Sequence, residues 1–296
     1  MGFTYQQQGK PSPARDVSSC TSAKPDLIQN VHYFDICRDK SAPVVKLKPS
    51  LLEKNREKRQ EVERRKGSSH RFLQTGMVLL ENHIIRSDQI KIVKKCRELG
   101  IGLGGFYIPG YDSGSKLQLR MMCLGKNWEP QSKEYVDVRS VDGAKAPIIP
   151  EEFKKLAEEA IQYSHELLIK EKYKIENVKE ILPLMHPDIC IVNFYTQSGK
   201  LGLHQDRDES PESLHKRLPV VSFSIGDDAE FLYGDDRDVD KAKKVTLKSG
   251  DVLIFGGESR HIFHGVSSII PNSAPKYLSD DANLRPGRIN LTFRQY

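Results

Sequence analysis

The sequence predicts an α+β fold, in which an antiparallel barrel or double sheet carries helices on its outside. Three observations lead there. From Ile189 onward, short runs rich in Val, Ile, Phe and Tyr alternate with turn residues. Before that point lie two segments with helical apolar spacing, and 38% hydrophobic content over 296 residues is enough for a sizeable core.

Residues 1 to about 45 are rich in Ser, Pro, Gln and Lys and read as a flexible arm. LLEKNREKRQEVERRKG follows, with dense mixed charge and a Glu61–Arg65 pair at i,i+4, the pattern of a solvated helix. Residues 1–70 are therefore expected to be an extension and 71–296 the main domain. In SDQIKIVKKCRELG, a short amphipathic helix is expected with Ser87 as N-cap, Ile90, Val93, Cys96 and Leu99 near its buried stripe, and Gly100 as its stop. PEEFKKLAEEAIQYSHELLIKEKY is a stronger helix, with Pro150 and two glutamates at its start and Phe153, Leu156, Ala157, Ala160 and Ile161 on one face. The strand series is ICIVNFY, LPVVSFSIG, AEFLYG, KVTLKSG, DVLIFGG, HIFHGV and GRINLTFRQY.

Bulk properties exclude some functions. No apolar run approaches the roughly 18 residues that span a bilayer, and the polar start lacks a secretory h-region, so an intracellular chain without a membrane partner is expected. Gly2 does not make a myristoylation signal, because Gln6 stands where that motif wants Ser or Thr. Nucleus or cytoplasm is the expected compartment, with an organelle left open. Five scattered cysteines without a C-x-x-C pair read as reduced structural thiols. A net charge of +6 fits a polyanionic partner and equally many enzymes of neutral substrates.

The chemistry gathers around LGLHQDRDES. His204 and Asp206 stand two apart, so on a strand they share a face. His264, on a predicted strand sixty residues later, supplies a third candidate ligand. Two histidines and a carboxylate match the facial triad of non-haem Fe(II) oxygenases, and zinc also accepts such ligands. The last strand discriminates. In RINLTFR, Arg288, Asn290, Thr292 and Arg294 share one face while Ile289, Leu291 and Phe293 share the other. Two inward arginines are costly unless an anion neutralises them, and a dicarboxylate suits guanidinium forks. Asn193 and Tyr195 share a face of another strand and add polar contacts.

Through NFYTQSGKLGLHQDRDE, FGGESRHIFHG and RINLTFRQ, the chain resembles the AlkB family of Fe(II)- and 2-oxoglutarate-dependent dioxygenases over residues 105 to 296. More narrowly, it resembles plant members of the group related to eukaryotic AlkB homologue one. The resemblance implies a double-stranded β-helix (jelly-roll) with outer helices and a nucleotide-recognition lid at about 105–145. It implies Fe(II) held by His204, Asp206 and His264, with 2-oxoglutarate and O2 as co-substrates. Arg288, Tyr195 and Asn290 would bind the remote carboxylate of 2-oxoglutarate, with Arg294 and Asn193 beside the carboxylate next to the ketone. Asp208 matches an acid that contacts the exocyclic amine of a base, Trp128 a lid aromatic and Tyr135 a tyrosine on the nucleic-acid backbone. Arg260 also matches in position. His261, three before His264, is expected to face away on strand alternation and to pack rather than ligate.

The implied activity is oxidative removal of an N-methyl group from a base in DNA or RNA, either in DNA repair or in RNA modification, with methyladenine favoured, N6-methyladenine included. The methyl leaves as formaldehyde while 2-oxoglutarate becomes succinate. A stacked base cannot reach a buried metal, so single-stranded or flipped-base substrate is expected, and a monomeric enzyme. The stretch after His204–Asp206 runs about four residues longer than the bacterial pattern, adding His215, Lys216 and Arg217, and GDDRDVDKAKK also departs from it. Strand preference and base identity are thereby left open. Two rival readings remain: a 2-oxoglutarate-dependent hydroxylase of a protein or small molecule, and a nucleic-acid-binding module without catalysis.

Overall fold

A computed structural model describes residues 34–38, 69–110, 114, 116–171 and 175–296. The expected N-terminal arm and charged helix lie outside these residues, apart from Phe34–Arg38.

Thirteen strands and five α-helices are described. In chain order they are β1 (His70–Gln74), β2 (Met77–Leu80), α1 (Arg86–Gly100), β3 (Arg120–Leu124), β4 (Asn127–Glu129), β5 (Glu134–Val136), α2 (Glu151–Lys170), α3 (Ile175–Ile181), β6 (Ile189–Tyr195), β7 (Leu201–His204), α4 (Pro211–His215), β8 (Val220–Gly226), β9 (Asp228–Gly234), β10 (Lys243–Leu247), β11 (Val252–Phe255), a 3-10 helix (Gly257–His261), β12 (Phe263–Ile270), α5 (Lys276–Ala282) and β13 (Arg288–Arg294). One sheet runs β1-β2-β11-β8-β13-β6-β3, a second β10-β9-β12-β7, and β4 pairs only with β5. All pairings are antiparallel.

The larger sheet is buried on both faces, and alternation sorts its side chains. Val78, Leu80, Val192, Phe194, Ile289, Leu291 and Phe293 turn outward into a core shared with Phe153, Ala157, Ala160 and Ile161 of α2 and Ile92, Val93 and Cys96 of α1. Met77, Leu79, Tyr195, Val220, Leu253 and Phe255 turn inward and pack on Phe231, Tyr233, Val245 and Val266 of the smaller sheet. Two facing antiparallel sheets with helices outside form the double-stranded β-helix. Burial on both faces is why β8 and β11 read as unbroken apolar runs.

The helix expected at Ser87 begins at Arg86, with Ile85 as N-cap and no side-chain cap. Its entry is set by tertiary contact: the Ile84 N–H donates to Gly250 O at 2.9 Å, and Ile85 O accepts from Asp88 and Gln89. The strands β1, β2 and β3 were not anticipated from the sequence. Four cysteines, Cys37, Cys96, Cys123 and Cys190, are free and buried, as expected; Cys20 lies outside the described residues. Burial raises the thiol pKa of Cys37 and Cys123 to about 11, which keeps both protonated and inert.

Phe34–Arg38 is part of the packed domain. Ile36 and Cys37 are buried, Asp35 takes a two-pronged ion pair from Arg97, and Arg285 N and Nε donate to Ile36 O and Cys37 O.

Candidate metal centre and cosubstrate pocket

β7 and β12 pair so that His204 lies directly opposite His264. The register then slips: Val266 faces Leu201, which places one extra residue on β7, a bulge beside the histidine pair. Gly265 permits the close approach, since a Cβ there would lie 2.6 Å from Leu201 O. Asp206 follows just beyond the end of β7.

The ligand atoms of His204, Asp206 and His264 all lie within 4.8 Å of one another, the one group with metal-holding geometry among the described residues. His204 Nε2 is 3.6 Å from Asp206 Oδ1, and His264 Nε2 is 3.8 Å from Asp206 Oδ2. The other ring nitrogens are anchored: Nδ1 of His204 is 3.0 Å from Gly202 O, and Nδ1 of His264 is 3.1 Å from Ile262 O. A proton on each Nδ1 leaves both Nε2 lone pairs aimed at one point, and that donor set fits a divalent metal. Burial, then the neighbouring His204 ring, outweighs Asp206 and lowers the His264 pKa to about 4, so its imidazole is a neutral ligand. For Asp206, burial pushes the pKa up, but Arg294, then His264 and His204, hold the carboxyl well below the usual carboxylate range.

The pocket beside these ligands is lined by the polar face expected of β13, by Asn193 and Tyr195 of β6, and by apolar Leu247, Phe255, Phe231 and Val266. Its two arginines differ in kind. Arg288 is 1% exposed and donates only to neutral oxygens, Ser224 Oγ at 2.6 Å and the carbonyls of Leu247 and Asp227 at 3.3 and 3.4 Å, while its Nε has no hydrogen-bond partner. Burial lowers its pKa to about 10, which keeps it charged at neutral pH. It is a buried cation without an acid, the demand that a carboxylate of 2-oxoglutarate would meet. Asn193 Oδ1 is likewise buried and unpartnered.

Arg294, also buried, is paired. Its Nη2 lies 2.7 Å from Asp206 Oδ2, and its Nε lies 3.0 Å from Glu209 Oε1. The arginine expected by the carboxylate next to the ketone thus also braces the metal-site carboxylate. Asn290 lines the pocket, but its amide donates to Ser222 Oγ and Phe223 O, so its role in binding the remote carboxylate would have to be shared with these bonds.

Among the expected substrate contacts, Trp128 and Asp208 meet: the indole Nε1 donates to Asp208 Oδ2 at 2.8 Å. Tyr135 stands opposite Trp128 in the β4–β5 hairpin but is 8% exposed, with its ring edge against Tyr296, which leaves little of it for a nucleic-acid backbone in this conformation. Arg260, which matches the family in position, does not face the substrate side in this conformation. It is 2% exposed and spent inside the protein, on Asp206 O at 2.7 Å and Glu209 Oε2 at 2.8 Å, because the 3-10 helix directs it inward under the metal site. His261 closes the 3-10 helix, so strand alternation does not govern its direction, and it is not one of the grouped ligands.

Sequence reasoning missed Glu209. Its signal was available, as a second acid beyond Asp206 and Asp208 in a motif facing two buried arginines, but only the fold shows which acid turns inward.

A family model described as the 2OG-Fe(II) oxygenase superfamily matches residues 76–294. The chain is 55% identical over 267 residues to the DNA N(6)-methyladenine demethylase ALKBH1C of Arabidopsis thaliana, covering 90% of this chain and 57% of that protein. A more distant relative, the tRNA demethylase abh1 of Schizosaccharomyces pombe, is 34% identical over 183 residues, 60% of this chain and 53% of that one. The chain thus spans about half the length of the curated relatives it matches. The solved structure of OsALKBH1 superposes with a TM-score of 0.73 at 61% identity, covering 77% of this chain and all of that one. The ligand triad, every strand of the facing sheets except β1 and the buried unpaired arginine fall within the matched span, and the chain belongs to the 2OG-Fe(II) oxygenase superfamily.

Proposed function

We propose that this chain is an Fe(II)- and 2-oxoglutarate-dependent oxidative demethylase of N-methylated bases in DNA or RNA, with methyladenine favoured. The observation that carries the reading is the conjunction, in one pocket, of the His204–Asp206–His264 group with the unpaired, buried Arg288. The names of the relatives supply the substrate class.

Fe(II) with 2-oxoglutarate and O2 supplies the oxidising chemistry, which turns an N-methyl group into formaldehyde. The protein's part is placement. His204, Asp206 and His264 would hold the metal on one side, leaving the remaining positions open. Arg288, with the Tyr195 hydroxyl nearby, would seat the remote carboxylate, and burial raises the Tyr195 pKa to about 12 so that its hydroxyl stays a donor. The apolar side chains Leu247, Phe255 and Val266 would exclude water along the chain of the co-substrate.

Trp128 offers an aromatic face for a base removed from its stack. Its bond to Asp208 occupies Oδ2 and leaves Oδ1 for a donor such as the N6 of adenine. For phosphates, the inserted segment offers Arg217 rather than Lys216, because Lys216 is paired with Glu212 at 2.6 Å. Arg207, exposed beside Asp206, would add a second cation.

The test is turnover of the full chain with Fe(II), 2-oxoglutarate and a panel of methylated DNA and RNA oligonucleotides at one salt concentration. Equal release of succinate and formaldehyde with loss of the methyl mark is expected. Succinate without loss of any mark would overturn the reading in favour of a hydroxylase of another substrate, and tight binding without turnover would favour a binding module.

A further inference from the structure

Beneath the metal site lies a closed set of four charges: Asp206, Glu209, Arg260 and Arg294. The Glu209 side chain is 1% exposed and those of Arg260, Arg294 and Asp206 are 2%, 8% and 8% exposed, so water screens none of them well. Both arginines divide themselves between the two acids. Arg294 gives Nη2 and Nε to Asp206 Oδ2 at 2.7 and 3.1 Å, and its Nε also lies 3.0 Å from Glu209 Oε1. Arg260 gives Nη1 to the backbone oxygen of Asp206 at 2.7 Å, and its Nη2 lies 2.8 Å from Glu209 Oε2 as an ion pair. Glu209 is the only one of the two acids outside the metal-ligand group, and one side-chain oxygen faces each guanidinium.

We propose that Glu209 is a positioning residue for the metal centre, a counter-anion that shares the charge of Arg294 and Arg260 with Asp206 so that the Asp206 carboxylate remains available to a divalent cation. The inference rests on the metal-site reading above. Without the Glu209 charge, two buried guanidiniums would face Asp206 as their single anion. Both have reason to close on it, since an unpaired buried charge is costly, and a metal would then compete with two fixed cations for the same oxygens. Two carboxyl groups stand against two guanidinium groups, so adding the metal does not require an arginine to be left alone.

The geometry also separates this role from simple packing. Glu209 is neither one of the grouped ligands nor itself a lining residue of the cavity, and its ion pairs run to Arg260 and to Arg294, which does line it, so its charge acts on the metal site through these two arginines. Compensation should therefore be possible: removing one cation should undo the loss of the anion.

The experiment is Mn(II) titration of the full chain, followed by emission of its single tryptophan and checked by calorimetry, on wild type, Glu209→Gln and the double variant Glu209→Gln/Arg260→Gln. Wild-type binding first establishes the metal site; its failure would remove the underlying reading rather than this inference. Glu209→Gln is expected to weaken Mn(II) by roughly 10- to 100-fold, the usual effect of losing a group that supports a ligand. The double variant is expected to recover most of that loss even though it lacks the buried hydrogen bond from Arg260 to Asp206 O. A Glu209→Gln protein that binds Mn(II) like wild type, or a double variant weaker than the single, would overturn the proposal. Thermal unfolding of all three keeps the outcomes distinct, because a purely structural Glu209 would lower Tm in both variants without restoring the metal affinity in either.

Discussion

Trp128 and Asp208, 80 residues apart in sequence, are joined by an indole N–H to carboxylate hydrogen bond of 2.8 Å. The bond ties the β4–β5 hairpin to the loop that carries Asp206, so the aromatic expected over the base and the acid expected at its edge form one unit. Asp208→Ala should free the indole and shift the emission of the single tryptophan. Such charge-assisted bonds contribute about 1.5–3 kcal/mol when buried, less at this half-buried site. The KM for a methylated oligonucleotide is expected to rise more than kcat falls. An unchanged emission spectrum and KM would show that the pair does not hold the lid aromatic in solution.

Arg288→Met should separate function from stability. The substitution removes a buried cation with no acid partner and keeps an apolar stem of similar length, so folding stability should hold or rise by on the order of 1 kcal/mol. The requirement for 2-oxoglutarate should rise at least 100-fold. Saturating co-substrate, at a hundred times its Kd, stabilises the wild type by ~2.7 kcal/mol and should stabilise the variant by at most about 0.4 kcal/mol. Equal co-substrate-induced shifts in both proteins would place the carboxylate elsewhere.

Asp206→Asn should abolish metal binding and demethylation while nucleic-acid affinity stays near wild type. The ion pair with Arg294 adds a consequence for stability. Removing one partner of a buried pair costs roughly 3–5 kcal/mol, and Glu209, still contacting Arg294, should reduce that loss. Metal analysis of the purified variant and its denaturation midpoint check both halves. Arg294→Ala should raise the 2-oxoglutarate requirement, since Arg294 lines the co-substrate pocket.

Asp251 sets a pH dependence away from the metal. Burial raises its pKa to about 6, against backbone N–H donors from Asn82 and Lys248 that favour the charge. A folded pKa above the unfolded value means that the native state takes up a proton as pH falls through 6. Stability from this group therefore rises between about pH 6 and 4, and is lost again as pH climbs through 6. Wild type minus Asp251→Asn should grow in stability by about 2–3 kcal/mol over that window, read from urea midpoints. A flat difference would show that the carboxyl titrates normally.

By itself the sequence determined the strand series from Ile189, the helix Glu151–Lys170 and the two faces of Arg288–Arg294, because period-2 and period-3.6 patterns are local properties of the chain. His204, Asp206 and His264 were legible as candidates because their residue types and spacing are rare together. Only the tertiary structure decided which polar groups neutralise one another. That Arg294 is shared between Asp206 and Glu209, that Arg260 points inward, that Arg288, unlike these two, donates only to neutral oxygens and that Trp128 reaches Asp208 depend on which strand ends and loops converge. Alternation assigns a side chain to a face of a sheet; partners across the interior are chosen by distance and burial, which no local pattern encodes.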